Sequence, residues 1–294
     1  MDLERVVLVR HGEIWVKGGN RFFFERLLAR NCASALSQAK VKDFKVMLLR
    51  GRILVKGFPE MQSGTAVRTL RRVFGVSSVS PATEVDNDIE SLKVRALEIA
   101  GGEKVSSKKS FRITTKRLTK TTPLNSNEIS RLVGETVFES LKAKVDLAKP
   151  RVNIQIEVFK DKAFLFTEKL TGVGGLPVGS SGKAGVVLDS SRESLLTALL
   201  MLKRGCTLLC NALKGSAENR KVLALFAPVG GVEFVESPDF EETCLEKACK
   251  ALAFSDFLPS EGGKAGNLLF LYPLTGFSAA KAKSEVKRFL GIVG

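Results

Sequence analysis

Residues 170–206 read LTGVGGLPVGSSGKAGVVLDSSRESLLTALLMLKRGC, and their three parts divide the chain. Leu170–Gly185 is dense in Gly, Ser and Pro, the composition of a loop or linker. Val186–Leu188 is a short β-branched run suited to a buried strand. Arg192–Arg204 then carries Leu195, Leu196, Leu199, Leu200 and Leu202, a broad apolar face for a helix that Gly205 ends. Strand, small-residue turn and helix in that order make an anion site, because a helix N-terminus presents free N–H groups. Here the turn is Asp189-Ser190-Ser191-Arg192-Glu193-Ser194, with two acids and no glycine.

Outward from that stretch, the two sides differ in charge. The 294-residue chain has a formal net charge of +15, and Lys and Arg exceed Asp and Glu by thirteen before residue 176 but by two after it. The first part therefore expects an anionic polymer as partner. No apolar run approaches membrane length, and MDLERVV leads straight into strand-like sequence, so neither a membrane span nor a signal peptide is expected. Five cysteines (Cys32, Cys206, Cys210, Cys244, Cys249) are too few and too oddly numbered for a disulfide framework and suit the cytoplasm. None has zinc-site spacing, so no metal is expected.

Residues 1–82 alternate as βαββαβ, the split-βαβ pattern of a ferredoxin-like domain. Its helices are Asn20–Gln38 and Glu60–Phe74 and its last strand is Val76–Pro81. Residues 83–175 give a helix at Asp88–Ala100, a strand at Ser110–Thr115, and a helix at Asn125–Leu141 opened by the capping pair Asn125 and Glu128. A hairpin then turns at Lys160-Asp161. Residues 176–294 alternate strands (Val186–Leu188, Thr207–Ala212, Val222–Ala227, Val232–Val235, Asn267–Leu271) with helices (Ser194–Lys203, Asp239–Ala253, Ser278–Leu290). This predicts a small, doubly wound, mainly parallel α/β domain.

Phe111-Arg112-Ile113-Thr114-Thr115-Lys116-Arg117, Pro123-Leu124-Asn125-Ser126-Asn127-Glu128 and the exit Gly172-Val173-Gly174-Gly175-Leu176-Pro177-Val178-Gly179 resemble a THUMP domain. Leu8-Val9-Arg10-His11-Gly12-Glu13-Ile14-Trp15-Val16-Lys17-Gly18 resembles the ferredoxin-like domain that precedes THUMP in the tRNA 4-thiouridine synthetases of ThiI type. Lys203-Arg204-Gly205-Cys206 and Pro273-Leu274-Thr275-Gly276 extend the resemblance into the third domain, a PP-loop ATP-pyrophosphatase-like fold. It implies tRNA binding by the first two domains, with THUMP near the acceptor 3′ end. It also implies ATP and Mg²⁺ at an SGGxDS loop and sulfur delivery by a cysteine persulfide.

Arg112, Thr114 and Lys116 share one side of their strand by alternation, with Arg117 at its end. Together with Arg10, Lys17 and Arg21 they are the expected tRNA contacts. His11 is expected to shape a turn or cap and Trp15 to enter the core. Against SGGxDS, Asp189 replaces the first Ser, Ser190 and Ser191 replace both glycines, Glu193 replaces Asp, and Ser194 matches. Cβ atoms and an acid would hinder a phosphate there. Glu193 is the one catalytic candidate, while an N-cap at Ser190 or Ser191 explains the same residues without a ligand.

Nothing between Ala227 and Asn267 matches the family's Gly-Glu and Ser-Gln-Thr segment, and no rhodanese-like segment is expected after Gly294. The leading expectation is a tRNA-binding or recruiting component of tRNA thiolation with a degenerate loop, holding no certain cofactor and served by a separate sulfur carrier or catalytic protein. The rivals are an active, divergent synthetase, with ATP and Mg²⁺ bound, and a protein-binding scaffold with secondary RNA binding. No GxGxxG loop or HxE…PCxxC set supports a methyltransferase or a deaminase.

Overall fold

A computed structural model describes residues 5–12, 19–119, 123–258, 264–265 and 267–293. The first six elements are β1 (Arg5–His11), α1 (Arg21–Gln38), β2 (Lys45–Leu49), β3 (Arg52–Lys56), α2 (Ser63–Arg71) and β4 (Val76–Asp86), the expected βαββαβ order. Next come α3 (Ile89–Gly102), β5 (Phe111–Arg117), α4 (Ser126–Leu141), β6 (Val152–Val158), β7 (Lys162–Phe166) and the short β8 (Leu170–Thr171). One sheet has the order β2-β3-β1-β4-β7-β6-β5, with β8 beside β4.

The third segment holds β9 (Lys183–Leu188), α5 (Arg192–Lys203), β10 (Thr207–Ala212), α6 (Ala217–Phe226), β11 (Val232–Val235) and α7 (Phe240–Glu246). It continues with β12 (Ala251–Ala253), β13 (Lys264–Ala265), β14 (Leu268–Leu271) and α8 (Ala279–Val293). Its sheet order is β11-β10-β9-β12-β14-β13, parallel from β11 to β14 and antiparallel only at β13. The strand order reverses between β9 and β12, so the crevice beyond their carboxyl ends is where such a sheet binds ligands. The Asp189–Ser194 turn leaves β9 at that end.

By compactness the chain forms two units. One contains Val55–Glu60 and Ser80–Lys169 with the chain up to Leu8; the other contains Val9–Leu54, Met61–Val79 and the chain from Leu170 on. In the first, α3 and α4 lie against β5, β6 and β7 around Leu92, Ile129, Val133, Val137 and Ile154. Asn125 and Glu128 form the expected reciprocal capping box. In the second, Phe74, Phe226 and Phe289 meet pairwise at 5.9–6.1 Å between ring centres, joining the chain after α2 to α6 and α8. The GVGGLPVG exit packs into this unit. Asn31 Nδ2 donates to the Val178 carbonyl at 3.0 Å, Leu176 N to Lys203 O at 2.9 Å, and Gly179 N to Gly205 O at 2.8 Å.

Two expectations fail. Val222–Ala227 is not a strand but the end of α6, which buries Leu223 and Phe226 at helical spacing and leaves Leu225 exposed. The parallel pairing of β10 with β11 requires a crossover, and α6 supplies it. Asp239–Ala253 is not one helix. α7 ends in a turn in which Cys249 N donates to Cys244 O and Ala248 N to Leu245 O, with Ala248 left-handed at φ 55°. The chain thereby reverses into β12, which pairs between β9 and β14. The same turn brings Cys244 and Cys249 together. Their thiols share a hydrogen bond, which raises Cys244 and lowers Cys249 from the ordinary thiol range. Both are buried, so neither is the exposed thiolate that a persulfide carrier needs.

Candidate nucleic-acid interface and nucleotide turn

A groove of about 650 Å³ runs between β5 and α4. Its floor is Phe111, Ile113 and Gly134, and Thr114, Asn127 and Ser130 bring polar groups to it. Ser130 Oγ accepts from Thr115 N at 3.1 Å and donates to Thr115 Oγ1 at 2.9 Å, holding helix to strand. Val145 and Leu147 line it too; Arg112 Nη1 donates to Leu147 O at 2.8 Å, tying that segment to β5. Leu147 and Phe138 are 70% and 50% exposed. An open apolar groove with polar groups at intervals suits flat, partly polar ligands.

The expected tRNA contacts divide. Lys116 is exposed on the same side of β5 as Thr114, as alternation requires. Arg117 is half-buried and donates to Leu124 O, so it also anchors the segment before α4. Arg112 is half-buried and committed to Leu147. Arg21 pairs through Nε with Glu25 Oε1 at 2.8 Å, and His11 Nε2 lies 3.1 Å from the same oxygen. Burial lowers the His11 pKa against the opposing pull of Glu25, and the ring sits at the end of β1 rather than in an exposed turn. Arg10 departs from expectation: it is 6% exposed, since its strand is buried along nearly its full length. Lys17 and Trp15 lie outside the described residues.

In the second unit, the Asp189–Ser194 turn satisfies itself. Asp189 Oδ1 accepts from Ser191 N at 2.8 Å, and Ser191 Oγ accepts from Ser194 N at 3.1 Å as the N-cap of α5. Ser194 Oγ accepts from Asp189 N at 3.3 Å and donates to Ser191 O at 3.2 Å. Asn219, from α6, clamps the outside of the turn by donating from Nδ2 to Asp189 O and Ser191 O, both at 2.8 Å. Burial opposes ionisation of Asp189, but hydrogen bonds from Ser191 and Ser194 outweigh it and hold the carboxyl below its usual range. A carboxylate of the turn thus already accepts from an N–H at the entrance to α5. Ser190 and Arg192 are exposed and Glu193 is half-buried.

Two domain families match the chain: the ThiI ferredoxin-like domain over residues 6–80 and the THUMP domain over residues 86–168. The chain belongs to the ThiI-like family. Its ThiI-like relatives include a probable tRNA sulfurtransferase of Thermococcus kodakarensis, 37% identical over 68% of this chain and 53% of that protein. Another, from Methanocaldococcus jannaschii, is 35% identical over 72% of this chain and 56% of its own length. The chain spans about half the length of the curated relatives it matches. Among solved structures, PH1313 from Pyrococcus horikoshii is 30% identical with a TM-score of 0.83, covering 98% of this chain and 99% of that one. A 4-thiouridine synthetase–RNA complex with bound ATP shares the fold, at 24% identity and a TM-score of 0.76, over 99% of this chain and 86% of that one.

Some participants escape sequence reading. Phe138 follows the inward-facing Val137 on α4 and so falls outside the helix's apolar stripe, a signal that was available. Asn219 gives no such signal, because it lies far from the turn in sequence, beside residues read as a strand.

Proposed function

We propose that this chain is a tRNA-binding component of tRNA thiolation, working in the cytoplasm, whose third segment keeps a nucleotide-binding fold without holding ATP. The β5–α4 groove carries the reading. Its apolar floor and the exposed Lys116 at its strand suit unpaired bases with their phosphates, which stack and pair with cations irrespective of sequence. Lys116 and Arg117 on β5 supply the charge, Arg131 being paired with Glu135 at 2.7 Å on the groove wall, and Phe138 and Leu147 supply the apolar surface. Arg112 works as a brace and Arg10 is left out. The segments 1–82, 83–175 and 176–294 serve as ferredoxin-like, RNA-binding and nucleotide-fold modules.

The residues of the turn do not fit ATP. A phosphate arriving there would meet the Asp189 carboxylate, and the Ser191 and Ser194 N–H groups already have acceptors. Catalysis then falls to a separate protein that brings sulfur, ATP and Mg²⁺ chemistry to the bound tRNA.

The experiment compares affinity for intact tRNA and for tRNA lacking its four unpaired 3′ nucleotides. Stacking is worth about 1–3 kcal/mol per base, so truncation should weaken binding about tenfold or more. Phe138→Ala should shrink that difference. Equal affinity for both RNAs would remove the groove from the reading.

A further inference from the structure

The second unit contains another open groove, of about 670 Å³, between α1 and β2. Phe22, Arg26, Ala29 and Arg30 recur at helical spacing along it, and Val46 and Leu48 line it from the strand. Phe22 and Phe23 are 60% and 51% exposed, and the Arg26 guanidinium lies 5.2 Å from the centre of the Phe22 ring. Two arginines and no acid line the groove, and Lys45 is exposed at the start of β2. β2 is the last strand on its side of the sheet, with no described strand beyond it. Its outer row of N–H and C=O groups therefore faces outward beside an apolar trough.

We propose that this edge receives an extended segment of a partner protein, with alternating acidic and apolar residues, as an added strand on β2. Two features select that occupant. The backbone edge asks for a ladder of alternating donors and acceptors, which a peptide strand supplies and a nucleic acid does not. The rim asks for negative charge, which excludes a second copy of this face, because Arg26 and Arg30 of the two copies would confront each other. Five residues of β2 span about 17 Å, enough for alternate side chains of the segment to enter the groove over Phe22 and Leu48 while the acids reach Arg26 and Arg30. This surface is independent of the β5–α4 groove, so it goes beyond the tRNA reading.

The test uses the full chain at physiological salt and the fluorescence anisotropy of labelled heptapeptides. One alternates valine and glutamate, a second carries a central proline at the same charge, and a third alternates valine and lysine. The expected result is saturable binding of the first peptide and at least tenfold weaker binding of the other two. Arg26→Glu with Arg30→Glu should invert the preference toward the lysine peptide by at least tenfold. Lys116→Glu with Arg117→Glu should leave all three affinities unchanged, which separates this result from the fate of the tRNA reading. Equal binding of the parent and proline peptides would reduce the effect to net charge and overturn the proposal. It is equally overturned if an oligouridylate, and no peptide, binds the wild type and is lost in the Arg26 and Arg30 variant.

Discussion

Gly175→Ala lowers the melting temperature by about 8 °C or more, corresponding to a loss of about 4 kcal/mol. The glycine sits at φ +79°, where an L side chain costs about 1–2 kcal/mol. An added Cβ would also lie 2.3 Å from the Lys203 carbonyl oxygen, backbone that is itself fixed by Leu176 N. Neither the end of α5 nor the exit loop can yield without breaking that hydrogen bond. The neighbouring Gly174 is the internal control. It too is left-handed, at φ +69°, but nothing lies within 4 Å of its virtual Cβ. Gly174→Ala should therefore cost only about 1 kcal/mol, the conformational part alone. Calorimetric scans of both variants distinguish the two; equal losses would show that the close packing of the exit loop on α5 is not what holds it.

Lys116→Glu combined with Arg117→Glu should weaken tRNA binding about a hundredfold, since each charge-assisted contact to phosphate is worth about 1.5–3 kcal/mol. The slope of log affinity against log salt should fall by about 1.4 to 1.8, two phosphate contacts' worth. Because Arg117 also donates to Leu124 O, the Lys116→Glu single variant is needed beside the pair. It should carry at least half of the change in slope, with an unaltered melting temperature. Lys283→Glu, on the exposed side of α8, should leave affinity within about twofold. Binding that keeps its salt slope in the double variant would place the RNA elsewhere.

What the sequence disclosed follows from how local each cause is. The capping box of α4 and the period-2 face of β5 are set by residues within a few positions of one another, and both were legible. So was the N-cap of α5, because Ser191 and Ser194 are three apart. α6 was not, since Lys221-Val222-Leu223-Ala224-Leu225-Phe226 is short and apolar in either periodicity, and only the parallel pairing of its flanking strands makes it a crossover helix. β12 was hidden because its alanines continue a helical pattern, and a left-handed Ala248, where glycine is usual, gives no warning. At the site, the substitution of acid and serine for glycine in the turn was plain. The Asn219 clamp arises from the same misread segment, and the groove beside β5 depends on residues 145–147 being tied down by Arg112.

In the proposed function, the turn at the end of β9 supplies its own anion, the Asp189 carboxylate, in place of a phosphate. Isothermal calorimetry of the wild-type protein with ATP and Mg²⁺ tests it most directly, with Glu193→Ala alongside. No saturable heat is expected from either protein, meaning a Kd weaker than about 1 mM. Stoichiometric micromolar binding by the wild type that disappears in Glu193→Ala would contradict it and make the turn a working nucleotide site.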